Sequence, residues 1–333
     1  MAIWDSTALN TDALSSAVNK WDDLNFVPGI VKRNALLYAI MGFSGTPQNP
    51  NWASAVRKDA EVQGNNLVVR ILGELETISN IADSAQLDAV SWNNNPNAIG
   101  AAVFAWTHTS HNESIRDSDF DLIKGSEART ASYMQDVMER LKLSREDTIG
   151  TAMNSTNDQT RSLLGGWEFM YDSTGTYGTL DKAQNTFFAG NETDVGGAGD
   201  LDDIDTMRTD IWQDGGNPTL GIAPKVPYNK LKQELRGYAQ AVPTSWDMYK
   251  GGGLLHYDGT TFAFEHRCTA TVVGMITPEH LRYYKKGSEF KIVGGNIMPA
   301  LLKGSSVGLI LREWSAFVTR HPGSGGKLTG WTS

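Results

Sequence analysis

A single cysteine, Cys268, is all the thiol in this 333-residue chain. It cannot close an internal disulfide, and thiolate metal cages need several such residues. Stability must therefore come from packing and from contacts between chains. Long apolar runs are missing too: no stretch approaches the roughly 20 consecutive apolar residues that a membrane span requires. The opening MAIWDSTALN has no basic region followed by an apolar run, so no secretory signal is expected, and the chain reads as soluble and made in the cytoplasm. Nor is positive charge in excess. The formal net charge of −9 argues against a protein that grips nucleic acid, because phosphate neutralisation needs clustered Lys and Arg. A container that merely encloses nucleic acid is still allowed.

The dinucleotide-binding motif is absent as well, with no G-x-G-x-x-G. Gly325-Gly326-Lys327 looks like the end of a phosphate loop, but His321 stands where its first glycine belongs and Leu328 where its Ser or Thr belongs. The tail GSGGKLTGWTS is instead expected to be a flexible end with one aromatic anchor, Trp331. His108, His111 and Glu113 could ligate zinc in principle, yet positions three apart on a strand face opposite ways. His266 beside Cys268 suggests an activated thiol, and the alternating positions put both on one face of a β-rich run; a buried small cysteine explains the pair more simply. Asp200, Asp202, Asp203 and Asp205 lack the glycine and terminal Glu of a calcium loop and suit the first turn of a helix. No cofactor or metal is expected.

What is present is apolar material, 40% of residues, enough for a sizeable core. Up to Phe26 isolated apolar residues are spread among polar ones, too sparse for a core helix and too apolar for a free linker. A long β-hairpin follows. Val69 to Thr77 alternates, with Arg70, Glu74 and Glu76 on the polar face, and IGAAVFAWTHT, Ile99 to Thr109, supplies its partner. The tip between them is too long for a compact domain unless it has a task. Two strands alone are marginal in water, so the arm is expected to lie on another molecule.

Asp117, Ser118, Asp119 and Asp121 favour a helix start, and Ala131, Met134, Met138 and Leu141 give it a narrow apolar stripe. Ser144 with Asp147 predicts a fresh N-cap, where the helix restarts or bends. Residues 172–200 read as loop. Leu201, Ile204, Met207 and Ile211 predict a second helix stopped by Gly215-Gly216. TLGIAPK predicts a short buried strand, and Pro227 the start of a helix from Tyr228 to Leu235. Asp258-Gly259 predicts a two-residue hairpin, CTATVVGMI a β-rich run, Pro278 a short helix, and Val307 to Val318 a further strand.

The chain has ten tryptophans, several of them outside periodic elements. Aromatic residues in such places suit interface anchors. The candidate subunit-interface residues are therefore Trp4, Trp21, Trp52, Arg70, Glu74, Glu76, Trp92, Trp106 and Trp331.

This order of pieces resembles the major capsid proteins of tailed bacteriophages, which have the Hong Kong 97-like fold. The most specific stretch is Leu201 to Leu235, LDDIDTMRTDIWQDGGNPTLGIAPKVPYNKLKQEL, with its W-x-x-GG-x-PT between helix and strand. The likeness in layout covers nearly the whole chain. It implies an α+β fold with an N-terminal arm at 1–45, a connecting segment at 46–61 and an extended loop at 62–114. A spine helix and the start of a peripheral domain would occupy 115–164, a mainly axial domain 165–262, and a return to the peripheral domain with a C-terminal strand 263–333. It further implies a non-enzymatic coat protein that assembles through pentamers and hexamers into an icosahedral shell around double-stranded DNA. Its partners would be many copies of itself, with scaffold and portal proteins during assembly in the host cytoplasm. An encapsulin-type compartment shell and a carbohydrate-active enzyme are the alternative readings.

Overall fold

The computed structural model describes residues 34–36, 60–63, 66–72, 99–116, 136, 140–141, 143–145, 147–185, 188–237, 253–293 and 306–332. The alternation in NLVVRIL and IGAAVFA produces the expected hairpin, with a third strand added. Strand β1 (Ala60–Gln63) pairs antiparallel with β2 (Asn66–Leu72), which pairs antiparallel with β3 (Ile99–Ala105) from Asn66↔Ala105 to Leu72↔Ile99. Leu67, Val69, Ala102 and Phe104 are buried, and Val68 and Val103 half-buried, as a period of two requires. The hairpin root is thus docked on its own chain. The Phe104 ring stands edge-on to Tyr177 at 4.9 Å, and Val103 N donates to Gly178 O at 2.8 Å. Gly178 has φ +56°, and a Cβ there would lie 2.3 Å from the Phe104 ring, so only glycine allows this approach. The expected tip falls outside the described residues.

The run expected as one strand breaks at Trp106. Beyond it β4 (Thr107–Arg116) belongs to a different sheet. A helix, α1, follows, whose described residues lie between 136 and 153. Leu141, Arg145 and Ile149, four apart, are buried with Met153, while Asp136, Arg140, Leu143, Asp147 and Thr148 are exposed. Ser144 is itself helical, and its carbonyl accepts from Thr148 Oγ1 at 2.9 Å, so the expected restart there is not a cap. The predicted helix start at Asp117–Asp121 lies outside the described residues.

Next come α2 (Trp167–Met170), the small hairpin β5 (Thr176–Tyr177) and β6 (Leu180–Asp181), and β7 (Asn191–Asp194). Residues 172–200 are therefore not all loop. Helix α3 (Leu201–Gln213) starts on a reciprocal cap: Asp200 accepts from Asp202 N and Asp203 N, and Asp203 accepts from Asp200 N. The acidic run serves the backbone. Ile204, Met207 and Ile211 are buried as predicted, and Gly215 ends the helix at φ +78°. Strand β8 (Leu220–Ala223) is wholly buried. Helix α4 (Lys225–Glu234) begins after Pro224, earlier than expected from Pro227, which lies in its first turn. Strands β9 (Leu254–Tyr257) and β10 (Thr260–Phe264) close through Asp258 and Gly259, both at positive φ, as the dipeptide predicts.

Strand β11 (Val273–Ile276) leads through a 3-10 turn at Pro278–His280 into β12 (Leu281–Val293), which pairs antiparallel with β13 (Ser306–Thr319). A second 3-10 turn, Pro322–Ser324, leads to β14 (Gly326–Thr329). Two sheets dominate: six strands in the order β7-β14-β11-β8-β10-β9, and three in the order β12-β13-β4. On the larger sheet Phe262, Val273, Met275 and Leu328 join the α3 and α4 residues in one core. Leu220, Ile222, Ala263 and Ile276 join Trp167 and Tyr171 in the other.

The C-terminal tail is a correction. Instead of a flexible end, β14 is an inner strand, antiparallel to β11 and parallel to β7. The expected axial boundary at 262/263 also cuts through β10, and β11 and β14 complete the same sheet. The chain leaves that sheet for the three-stranded one and comes back.

Candidate functional site

Of the nine candidate interface residues, Trp4, Trp21, Trp52, Glu74, Glu76 and Trp92 lie outside the described residues. Arg70 is on β2, its backbone opposite Ala101. Trp106 and Trp331 are drawn into their own subunit, at 4% and 0% exposure, so neither presents a surface to a neighbour. Trp331 lies flat against Gly199, where a Cβ would come within 2.5 Å of the indole, and its N donates to Thr271 O at 3.1 Å. It anchors the tail inward because β14 beside it is a core strand.

The residues with catalytic potential are each engaged structurally. His108 is exposed and His111 buried, on opposite faces of β4 as their spacing requires. Cys268 lies in the turn before β11, not in a strand. Its Sγ donates to Glu265 O at 3.0 Å, and burial pushes the thiol far above its ordinary pKa, away from a thiolate. His266 points outward and pairs with Glu265. Lys327 pairs with Asp172 and with Glu192, at 3.0 Å from the latter, so the GGK lysine serves a partly exposed ion cluster. Among the described residues no group of three or more His, Cys, Asp or Glu side chains is placed to hold a metal ion.

Four polar knots hold the two sheets and the helix in register. Arg145 of α1 pairs with Glu313 of β13, both almost fully buried. Tyr283 of β12 donates to Glu313 at 2.9 Å, and His111 is held below its ordinary pKa by burial and by Arg145. Gln159 sits where β3 gives way to β4. Its Nε2 donates to Ala105 O at 2.9 Å and Thr107 Oγ1 at 2.6 Å, while its Oε1 accepts from Gly165 N at 2.8 Å and Phe317 N at 3.2 Å. Trp167 Nε1 donates to Asn154 Oδ1 at 2.9 Å, and Asn154 donates back to Gly150 O at 2.8 Å, tying the end of α1 to α2. Lys182 caps α2, donating to Met170 O at 3.2 Å and Asp172 O at 2.6 Å.

Sequence reasoning missed these knots, though one signal was there. Arg145 falls four residues after Leu141, on the apolar stripe, where a charge must find a partner or not be buried. The arrangement positions elements rather than reacting atoms. Among the described residues no helix is long and apolar enough to cross a membrane.

No family model and no curated protein matches the chain. Solved structures do. The chain is similar to a subunit of the Cyanophage A-1(L) capsid asymmetric unit, with TM-score 0.58 and 11% identity over 90% of this chain and 94% of that one. A chain from Mycobacterium phage Bobi gives TM-score 0.54 and 10% identity over 91% and 92%. A subunit from the capsid of an empty GTA particle gives 0.52 and 10% over 85% and 89%. The fold is the Hong Kong 97-like capsid fold, of the α+β class.

Proposed function

We propose that the chain is the major capsid protein of a tailed phage. It assembles through pentamers and hexamers into an icosahedral shell that encloses packaged double-stranded DNA, with scaffold and portal proteins as partners, and it resides in the virion after assembly in the host cytoplasm. One observation carries this reading: the likeness to capsid subunits spans 85–91% of the chain, so it concerns the whole architecture and not one shared domain. The physics agrees. A shell subunit needs no activated nucleophile. It needs rigid elements in a fixed mutual geometry, because heterologous contacts close into rings and shells only when the rotation between copies is well defined. Interfaces of about 1,600 Å² with several neighbours then hold each copy without tight pairwise binding.

Negative-stain microscopy and size exclusion of the purified chain test the proposal. Closed shells, or rings of five and six, are the expected products. A compact monomer under every assembly condition overturns it, and shells that copurify with a protein cargo and no DNA would indicate a compartment instead.

A further inference from the structure

Two of the passages between the six-stranded and three-stranded sheets run side by side: β11 to β12 through His280, and β13 to β14 through His321. They are stitched together. Leu281 and Thr319 form the first rung of the β12–β13 ladder, and Arg320 N donates to His280 O at 3.0 Å just beyond it. Thr277 Oγ1 donates to Ser324 O at 2.5 Å and accepts from Asn217 N at 2.9 Å; Ser324 N and Oγ both donate to His321 O. Between the links the half-buried imidazoles of His280 and His321 face each other, ring centres 5.7 Å apart and planes tilted by 40°. Two of the six histidines of the chain thus meet at one joint.

We propose that this pair makes the joint proton-sensitive: charging both rings, beside Arg282 and Arg320, loosens the two links and lets the axial sheet change its angle to the peripheral sheet. The surroundings of each ring are uneven. His280 faces His321, Arg282 and Arg320, with Glu279 as the opposing charge. His321 is half-buried under the loop carrying Asp214, a carboxylate that favours its charged form. Burial outweighs both carboxylates, and both rings are held below the ordinary histidine value. An open joint, with its rings in water, titrates near 6.5 and so binds protons more tightly than the closed one. Opening is therefore favoured as pH falls below about 6.5, and the effect levels off once the closed joint is protonated too. This is a property of the subunit and stands whether or not the chain builds a shell.

Hydrogen exchange of the full chain at pH 7.5 and 5.5, corrected for intrinsic rates, tests it. The Arg320 and Ser324 amides should lose protection severalfold at pH 5.5, with two open rings titrating near 6.5 capping the effect at roughly a hundredfold. The amides of β8 should not change. The double variant His280→Phe/His321→Phe keeps two facing aromatic rings without the protons and should abolish the loss. His111 stays in both proteins, so any response of its own cluster appears in both. Equal protection of these amides in the wild type at the two pH values overturns the proposal, as does the same loss in the variant. Should the variant fail to fold, ring titration of the wild type by NMR decides: midpoints for both histidines below 6.5 that coincide with the exchange transition support the joint, and midpoints at or above 6.5 sink it.

Discussion

Arg145 on α1 and Glu313 on β13 form an ion pair with 1% and 0% of their side chains exposed, joining the helix to the three-stranded sheet. Glu313 is held further by Tyr283, and His111 of β4 lies close enough to feel both charges. All three strands of that sheet therefore converge on one helix residue. Such a pair fixes the helix in one rotational setting, because sliding by a turn would strand both charges in the core.

Removing one partner should cost far more than removing both. Arg145→Met alone leaves Glu313 buried and uncompensated, with an expected loss of about 3–5 kcal/mol in equilibrium unfolding. Adding Glu313→Gln should recover part of it, and the double-mutant cycle reads the coupling directly. A single variant within 1 kcal/mol of wild type would show that the pair is solvated in solution.

Lys182 predicts an unusual pH response. Burial pulls its ammonium down to about 8, while Asp172 and Glu192 pull the other way. The folded value lies below the unfolded 10.5, so between about 8 and 10.5 the unfolded chain holds a proton that the folded chain has shed. The contribution of this residue to stability must rise with pH across that window, by on the order of 3 kcal/mol. Buried Tyr171, Tyr177 and Tyr283 oppose it above about 10, since burial hinders their ionisation. The check is thus a difference: wild type minus Lys182→Met in denaturant unfolding, which should grow from pH 8 to 10.

Trp331 distinguishes a core anchor from an intersubunit one. Trp331→Ala should destabilise the isolated chain by about 3–5 kcal/mol, as for other fully buried large side chains. Unchanged unfolding of the monomer together with lost assembly would restore the tail to an interface role.

The hairpin root and its tip should separate experimentally. Deleting residues 78–97 is expected to leave cooperative unfolding of the monomer intact, because the root is a three-stranded sheet docked on Tyr177 and Gly178. Assembly should be abolished. Loss of cooperative unfolding instead would place the tip in the core of its own subunit.

Local chemistry was legible in the sequence. The alternation around Val69 and Phe104 specified the hairpin, Asp200 through Asp203 specified a helix start, and Asp258-Gly259 specified a turn, each through interactions spanning a few residues. Chain-distant pairing was not. GKLT reads as tail because it is short, glycine-rich and barely apolar; it is a strand only because β11 and β7, more than 50 and 130 residues away, offer it hydrogen bonds from both sides. Gly326 belongs there since a Cβ would strike Met207, a constraint set by another element entirely. Ser144 looked like a cap because cap propensity is local, while the helix runs through it on the strength of Arg145 and Ile149 packing below. Residue order by itself determined which segments could be helix, strand or turn. Only the tertiary structure decided which charges were buried together and which tryptophans turned inward, because burial is shared by residues that the sequence keeps far apart.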